Sequence, residues 1–250
     1  MKKSFSKILA ALAAVCFLVS CTIENGREYR KTHAQSVVLL KVEQSAIASA
    51  VNHLGTAYMV DAWRQATGEE RERLAWENFT HIFEGDGYVM VNHNEEWIPG
   101  EKRFGEKGSV WTCSGEGFRL ELECMGNDVW RIWKLYDLGS VRYELDFNLS
   151  MIDDLRTIDL SSGTVLYQET ESLDKVHIVT AEFLDPVRYS IYLPLPGDYH
   201  LPCQGRMGFT YSEWEDEKSY FEVTFGIDYY WIRWAGIEEK WSLFNYYRYE

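Results

Sequence analysis

The sequence has few basic residues and few recognisable catalytic motifs, and both shortages exclude classes of function. It carries 25 Lys and Arg against 39 Asp and Glu, a formal net charge of −14 over 250 residues. Nucleic acids and anionic lipid headgroups are bound by clustered Lys and Arg, so this acidic chain disfavours both partners. The chain has no Gly-x-Ser-x-Gly elbow, no P-loop and no His-Glu-x-x-His motif, so it does not indicate the enzymes that depend on them.

Cysteine is also scarce, with five residues in the whole chain. Cys16 and Cys21 lie in the N-terminal segment, which leaves Cys113, Cys124 and Cys203 for the folded body. Because three is an odd number, at most one bridge can form, and a disulfide scaffold is excluded. Local alternation places Cys113 and Cys124 on the apolar face of a hairpin, so we predict that both are buried as small hydrophobes. Whether one disulfide forms among the three stays open.

The apolar run at the N terminus is too short to span a bilayer. It covers residues 8–18, follows Lys2, Lys3 and Lys7, and ends at Leu18-Val19-Ser20-Cys21. A basic head, a short apolar stretch and a small residue before the cleavage site are typical of a secretory signal peptide. The alternative is an uncleaved anchoring helix, which is disfavoured because the residues after Cys21 become polar at once.

The Leu-Val-Ser-Cys ending resembles the lipobox of bacterial lipoproteins, here of the Bacteroides-like envelope type. The resemblance covers about 21 of the 250 residues. It implies that Cys21 becomes the acylated first residue of the mature chain and that the protein is anchored to a membrane by lipid. Loss of residues 1–20 removes three lysines and no acids, which changes the formal charge from −14 to −17.

The residues after Cys21 bear on which membrane holds the protein. Residues 22–25 lack the Asp that retains many lipoproteins at the inner membrane, and they lack the dense acidic run that often exports others to the cell surface. The outer membrane is therefore favoured, with its periplasmic face and the cell surface both open.

Apolar residues recur at helical spacing over the first part of the folded body. The positions that fit one helix face are Ile47, Ala50, Val51, Leu54, Ala57 and Tyr58. Thr67-Gly68-Glu69-Glu70 then has the form of a capping box, which predicts a second helix with Ala75, Phe79 and Ile82 on its apolar stripe. We therefore predict a helical hairpin over residues 35–84, after a signal peptide (1–20) and a lipidated tether (21–34).

After Gly85-Asp86-Gly87 the apolar period changes from 3.6 to 2, most clearly over Val141 to Leu149. Turn signals separate many of the short runs and lie at residues 126–128, 161–163, 196–198 and 226–227. We predict an antiparallel β-meander over residues 85–250 that forms a sandwich or barrel. The fold class is then α+β, mostly β.

The C-terminal hairpin is the strongest candidate for recognition. A two-residue type II′ turn at Gly226-Ile227 would pair Phe225 with Asp228. The outward face would then carry Tyr220, Glu222, Tyr229, Trp231 and Arg233, with Glu222 facing Trp231 and Tyr220 facing Arg233. Flat rings and charged groups in alternation suit a sugar or a peptide. The alternative is that these aromatic residues only pair across strands, or that another element covers them.

The sequence gives only weak evidence for catalytic residues. Glycoside hydrolysis needs two carboxylates about 5–10 Å apart across a cleft. The adjacent acids Glu95-Glu96 and Asp153-Asp154 do not meet this need, because neighbours on a strand point to opposite faces. We therefore predict no catalytic residue from the sequence.

The sequence evidence for metal ligands is equally weak. His81, His93 and His177 lack the short-range partner spacing of a zinc site. His53, at the edge of the first helix stripe, is predicted to be an ordinary half-exposed residue. We expect no metal and no cofactor.

These features together predict a lipid-anchored envelope protein that acts as a non-catalytic binding module for a glycan, a peptide or a small apolar ligand. One alternative is a structural or assembly component of an envelope complex, which would expose a large apolar patch to a protein partner. The other is a carboxylate-dependent glycan hydrolase. No nucleic-acid partner is expected.

Overall fold

The structure is a computed structural model, and the described residues are 35, 38–39, 41–77, 81–152, 157–172, 175–190, 202–214, 217–227 and 229–242. The chain divides into two compact units, Met1–Val38 and Leu39–Glu250. All helices and strands with defined bounds lie in the second unit. The predicted signal peptide, the tether and Cys21 lie outside the described residues and stay predictions.

One long helical segment opens the second unit. A π-helix, Val42–Ala48, continues without a break into α1, Ser49–Gln65. The predicted apolar stripe is largely the buried one, since Ile47, Leu54 and Ala57 are at most 2% exposed. No helix among the described residues is long and apolar enough to cross a membrane.

The second helix, α2, is shorter than predicted. It spans Glu69–Glu77, and Gly68 rather than Thr67 accepts its first backbone hydrogen bonds, from Arg71 and Glu72. The prediction that Ile82 lies on the helix stripe was wrong, because Ile82 begins the first strand. Phe79 lies outside the described residues.

In the part of the chain that the structure describes, thirteen antiparallel strands form a single sheet in sequence order. They are β1 (Ile82–Glu84), β2 (Val89–Val91), β3 (Glu95–Ile98), β4 (Val110–Gly115), β5 (Phe118–Gly126), β6 (Val129–Leu138), β7 (Val141–Met151), β8 (Thr157–Ser172), β9 (Lys175–Ser190), β10 (Pro202–Trp214), β11 (Glu217–Phe225), β12 (Tyr229–Trp234) and β13 (Ile237–Ser242). Among the described strands β1 and β13 do not pair with each other, so the sheet is not closed. The predicted mostly β meander is confirmed.

One strand, β8, is longer than the turn signals predicted. Residues 161–163 do not form a turn but a bulge inside β8, where Gly163 has a φ of 133°. A bulge bends a strand and increases its twist without ending it. The predicted turn at residues 196–198 lies outside the described residues.

The helical segment packs on the buried face of the sheet. Lys134 on β6 donates from Nζ to Ser49 Oγ at 2.6 Å, and the ring of His53 lies 5.1 Å from that of Phe118 on β5, centroid to centroid. Lys41 forms an ion pair with Glu169 on β8 at 2.5 Å. Helix and sheet therefore enclose side chains from both.

The predicted faces of two hairpins are correct, but their predicted registers are wrong by two residues. Cys113 pairs with Leu120 rather than with Phe118. Cys113 and Cys124 are buried, Cys203 is half-buried, and all three are free of disulfides. Phe225 pairs with Tyr230 rather than with Asp228, which leaves a four-residue connection. A register change of two residues keeps every side chain on the same face.

Candidate functional site

The outward face of β9 to β13 carries a row of polar and aromatic side chains that crosses five strands. Asp185 pairs with Arg206, Arg206 with Thr224, Thr224 with Trp231, and Trp231 with Lys240. Directly paired residues have Cβ atoms about 4.5–5.5 Å apart and project to the same face. The row therefore brings a carboxylate, a guanidinium, a hydroxyl, an indole and an ammonium group into one line.

A groove of about 560 Å³ lies at the β8–β10 end of this row, and we call it the outward groove. It is lined by Asp159, Asp185, Pro186, Arg188, Gln204, Gly205, Arg206, Thr224 and Phe225. Its volume lies within the range of about 300–1,000 Å³ typical of small-ligand sites.

The outward groove owes its shape to irregular pairing between β9 and β10. The register shifts three times between Pro202 and Met207. Gly205, at the centre of this stretch, has a φ of 106°. A Cβ atom there would lie 2.3 Å from the carbonyl oxygen of Pro186, so only glycine lets the two strands approach so closely.

Two carboxylate–guanidinium pairs hold the charged groups of the outward groove in place. Arg188 donates from Nε and Nη2 to the two oxygens of Asp159, at 2.7 and 2.8 Å. Arg206 donates from Nε to Asp185 Oδ2 at 2.5 Å, and its Nη1 lies 3.8 Å from Glu222 Oε2. The hydrogen bond from Arg206 holds the pKa of Asp185 below its ordinary value. The groove therefore presents ionised, oriented groups.

The aromatic part of the row lies at the β11–β12 turn. The indole of Trp231 covers Gly226, where a Cβ atom would lie 3.0 Å from Cζ3. The rings of Tyr229 and Trp231 are 6.5 Å apart, and Lys240 Nζ lies 3.6 Å from the Tyr229 centroid and 5.5 Å from that of Trp231. Lys240 therefore covers part of an aromatic surface that the sequence predicts to be open.

The five residues predicted for ligand binding all project outward, but their predicted pairings were wrong. Tyr220, Glu222, Tyr229, Trp231 and Arg233 lie on the outward face of β11 and β12. Glu222 faces Arg233, not Trp231, and the guanidinium of Arg233 is bonded to Glu238 at 3.1 and 2.6 Å. The φ of Gly226 is not positive, as the predicted type II′ turn would require.

Sequence reasoning missed the groove residues themselves. Asp185, Arg188 and Arg206 lie on strands whose local alternation is interrupted by bulges, so no simple period aligns them. The available signal was Gly205 between polar neighbours, since an isolated glycine in a strand pattern often marks a bulge.

A second polar group lies between α1 and the buried face of the sheet, and we call it the interior cluster. It consists of His53 on α1, Glu95 on β3, Cys113 on β4 and Lys134 on β6. His53 Nε2 lies 3.8 Å from Glu95 Oε1, and the ligand atoms of His53, Glu95 and Cys113 all lie within 4.8 Å of one another. The side chain of His53 is only 11% exposed, so the prediction of a half-exposed histidine was wrong.

Burial shifts each titratable group of the interior cluster towards its neutral form. It lowers the pKa of His53 to about 3, with a further contribution from the charge of Lys134. Burial also lowers the pKa of Lys134 to about 8, and it raises the pKa of Glu95 and of the Cys113 thiol. At neutral pH His53 is therefore a neutral imidazole and Cys113 a protonated thiol.

Comparison with known proteins adds no family assignment. No family model, no curated protein and no solved structure matches the chain. A functional assignment therefore depends on the geometry of the outward groove and of the interior cluster.

Proposed function

We propose that this protein is a non-catalytic binding module that captures a glycan in the outward groove. The observation that carries the proposal is the continuous row from Asp185 and Arg206 through Thr224 to Trp231. Carboxylate, guanidinium and hydroxyl groups accept and donate hydrogen bonds to sugar hydroxyls, and an indole covers the apolar face of a sugar ring.

The composition of the outward groove favours a glycan over a small apolar ligand or a polyanion. A small apolar ligand would desolvate Asp159, Asp185, Arg188 and Arg206 without replacing their hydrogen bonds to water, which is costly. A polyanion is disfavoured because Arg188 and Arg206 are each paired with a carboxylate and the chain is strongly acidic.

Capture is also favoured over hydrolysis. A glycosidase needs one carboxylic acid that stays protonated near neutral pH, so that it can donate its proton to the leaving-group oxygen as the glycosidic bond breaks. Arg206 lowers the pKa of Asp185, which therefore stays ionised and is a poor general acid.

Substitution of Arg206 tests the groove directly. We expect Arg206→Ala to weaken binding of a glycan that scores positive with the wild type by about tenfold or more, because charge-assisted hydrogen bonds are worth about 1.5–3 kcal/mol. Glycan-array screening followed by titration calorimetry measures the affinity, and Trp231→Ala should weaken it as well.

The matched control for this experiment is Arg131→Ala. Arg131 also pairs with a carboxylate, that of Asp146, through two hydrogen bonds at 2.9 and 2.6 Å, but it lies on β6 away from the groove. The Arg131→Ala variant should bind the glycan with the same affinity as the wild type. The proposal would be contradicted by a wild type that binds no glycan, or by Arg206→Ala and Trp231→Ala variants that bind the glycan as tightly as the wild type.

The lipobox resemblance supports lipid anchoring of this module to a membrane, and the residues after Cys21 favour the outer membrane. Acylated at Cys21, the acidic body would hang from the membrane by residues 21–34, with access to ligands on whichever face it occupies. Assembly into an envelope complex is the alternative role, and co-purification of a stable protein partner from the native membrane would favour it.

The anchor has a separate test. Cys21→Ser should abolish incorporation of labelled palmitate and move the protein out of the membrane fraction, because several acyl chains are needed for stable anchoring. Cys16→Ser, within the predicted signal peptide, is the control and should leave both readouts unchanged. Labelling of the Cys21 variant at the wild-type level would rule out the lipobox.

A further inference from the structure

We propose that His53, Glu95 and Cys113 of the interior cluster form a zinc-binding site between α1 and the sheet. The three side chains come from three elements, and their ligand atoms lie within 4.8 Å of one another. The site is independent of the outward groove, which lies on the other face of the sheet.

The orientation of His53 determines which ring nitrogen can bind a metal. Nδ1 lies 2.5 Å from the backbone carbonyl oxygen of Ser49. A carbonyl oxygen only accepts hydrogen bonds, so Nδ1 carries the proton, and the neutral ring has its lone pair on Nε2. A backbone carbonyl on the distal nitrogen is also the usual partner of a metal-bound histidine.

Among the described residues, no hydrogen-bond donor pairs with the lone pair of Nε2. Nε2 is buried and without a hydrogen-bond partner among the described residues. Glu95 Oε1 lies 3.8 Å from Nε2 and is another acceptor when ionised, while Trp97 donates to the second oxygen of Glu95 at 3.4 Å. A buried acceptor without a donor is destabilising, because it has lost its hydrogen bond to water and gained none in return. A cation between Nε2, Oε1 and the Cys113 sulfur would satisfy all three.

The chemical types of the three ligand atoms favour Zn²⁺ over Mg²⁺ and Ca²⁺. Imidazole nitrogen, thiolate sulfur and carboxylate oxygen together suit Zn²⁺, whereas Mg²⁺ and Ca²⁺ prefer oxygen ligands alone. Zinc bonds of about 2.0–2.3 Å in a tetrahedron place ligand atoms roughly 3.3–3.7 Å apart. The Nε2–Oε1 distance of 3.8 Å is close to this spacing, so small side-chain movements complete the set.

Charge and access are compatible with a bound zinc ion. On binding, the Cys113 thiol releases its proton to solvent, and Zn²⁺ with one thiolate and one carboxylate is neutral overall. The site then tolerates the ammonium group of Lys134, which Ser49 Oγ holds at 2.6 Å. The Glu95 side chain is 25% exposed, which provides an entry path and room for water as fourth ligand.

The test uses the full chain, purified in detergent and stripped of metal with a chelator. We expect one equivalent of zinc to bind after dialysis, measured by elemental analysis. Cobalt in place of zinc should produce a thiolate-to-cobalt charge-transfer band in the near ultraviolet. Cys113→Ser should abolish that band, and Glu95→Gln should weaken zinc binding about tenfold or more, as loss of one ligand group.

Two matched variants control for general effects. Cys203→Ser removes another of the unbridged thiols, and Glu96→Gln removes the adjacent carboxylate, which points away from the cluster. Both variants should retain the thiolate-to-cobalt charge-transfer band and should still bind one equivalent of zinc. Absence of zinc binding by the wild type would overturn the proposal, as would an unchanged cobalt band in Cys113→Ser. If Cys113→Ser does not fold, unaltered zinc affinity of Glu95→Gln would overturn it instead.

Discussion

Replacement of Gly205 by alanine is expected to lower the free energy of unfolding by about 3 kcal/mol or more and to abolish capture in the outward groove. At a φ of 106°, a residue with a side chain costs about 1–3 kcal/mol from backbone strain alone. The new Cβ would also lie 2.3 Å from the Pro186 oxygen and 2.7 Å from the Val187 Cα. Both are backbone atoms of β9 that cannot rotate away, so β9 and β10 must separate where they form the groove.

Urea denaturation measures the change, with Gly139→Ala as the control. Gly139 also has positive φ, 63°, but a Cβ atom there would meet nothing within 4 Å. Its substitution should cost only about 1 kcal/mol, the ordinary cost of losing a left-handed glycine. Equal losses in the two variants would show that the close contact between β9 and β10 carries no special stability.

Replacement of Lys134 by methionine is expected to raise the free energy of unfolding by about 1–3 kcal/mol in the presence of a chelator. Lys134 is 2% exposed, and burial lowers its pKa to about 8 from an ordinary 10.5. Each pKa unit corresponds to about 1.4 kcal/mol by which the folded state disfavours the ammonium form. Methionine keeps a similar chain length without the buried charge, and apolar replacements of buried charges are often stabilising.

The pH dependence identifies the cause. Because the folded pKa of Lys134 is below the unfolded one, the unfolded state binds more protons between pH 8 and 10.5. The Lys134 contribution to the free energy of unfolding therefore rises with pH across that window, and Lys134→Met lacks this rise. Cys113 and Tyr143 titrate in both proteins, so the difference between the two curves isolates Lys134.

Lys107→Met is the control for a surface lysine. Lys107 is exposed, and its substitution should change stability by less than about 0.5 kcal/mol. A wild type more stable than Lys134→Met at pH 7 would mean that the hydrogen bond to Ser49 outweighs the desolvation of the ammonium group.

The spacing of apolar residues in the sequence was sufficient to predict whether most elements are helices or strands and which of their faces is buried. Val141 to Leu149 alternate as predicted, with Tyr143, Leu145 and Phe147 buried. Alternation assigns a residue to a face because successive side chains on a strand point to opposite sides. It does not determine register, which depends on turn geometry, and both misjudged hairpins differ by two residues while keeping their faces.

By itself, then, the sequence determined the mostly β architecture, the two helices and the outward projection of Trp231. Only the tertiary structure decided which side chains share a site. Asp185, Arg206 and Trp231 meet through strand pairing shaped by bulges, and His53, Glu95 and Cys113 meet through packing of α1 on the sheet. Such contacts join residues far apart in the chain, and local periodicity carries no information about the distance between them.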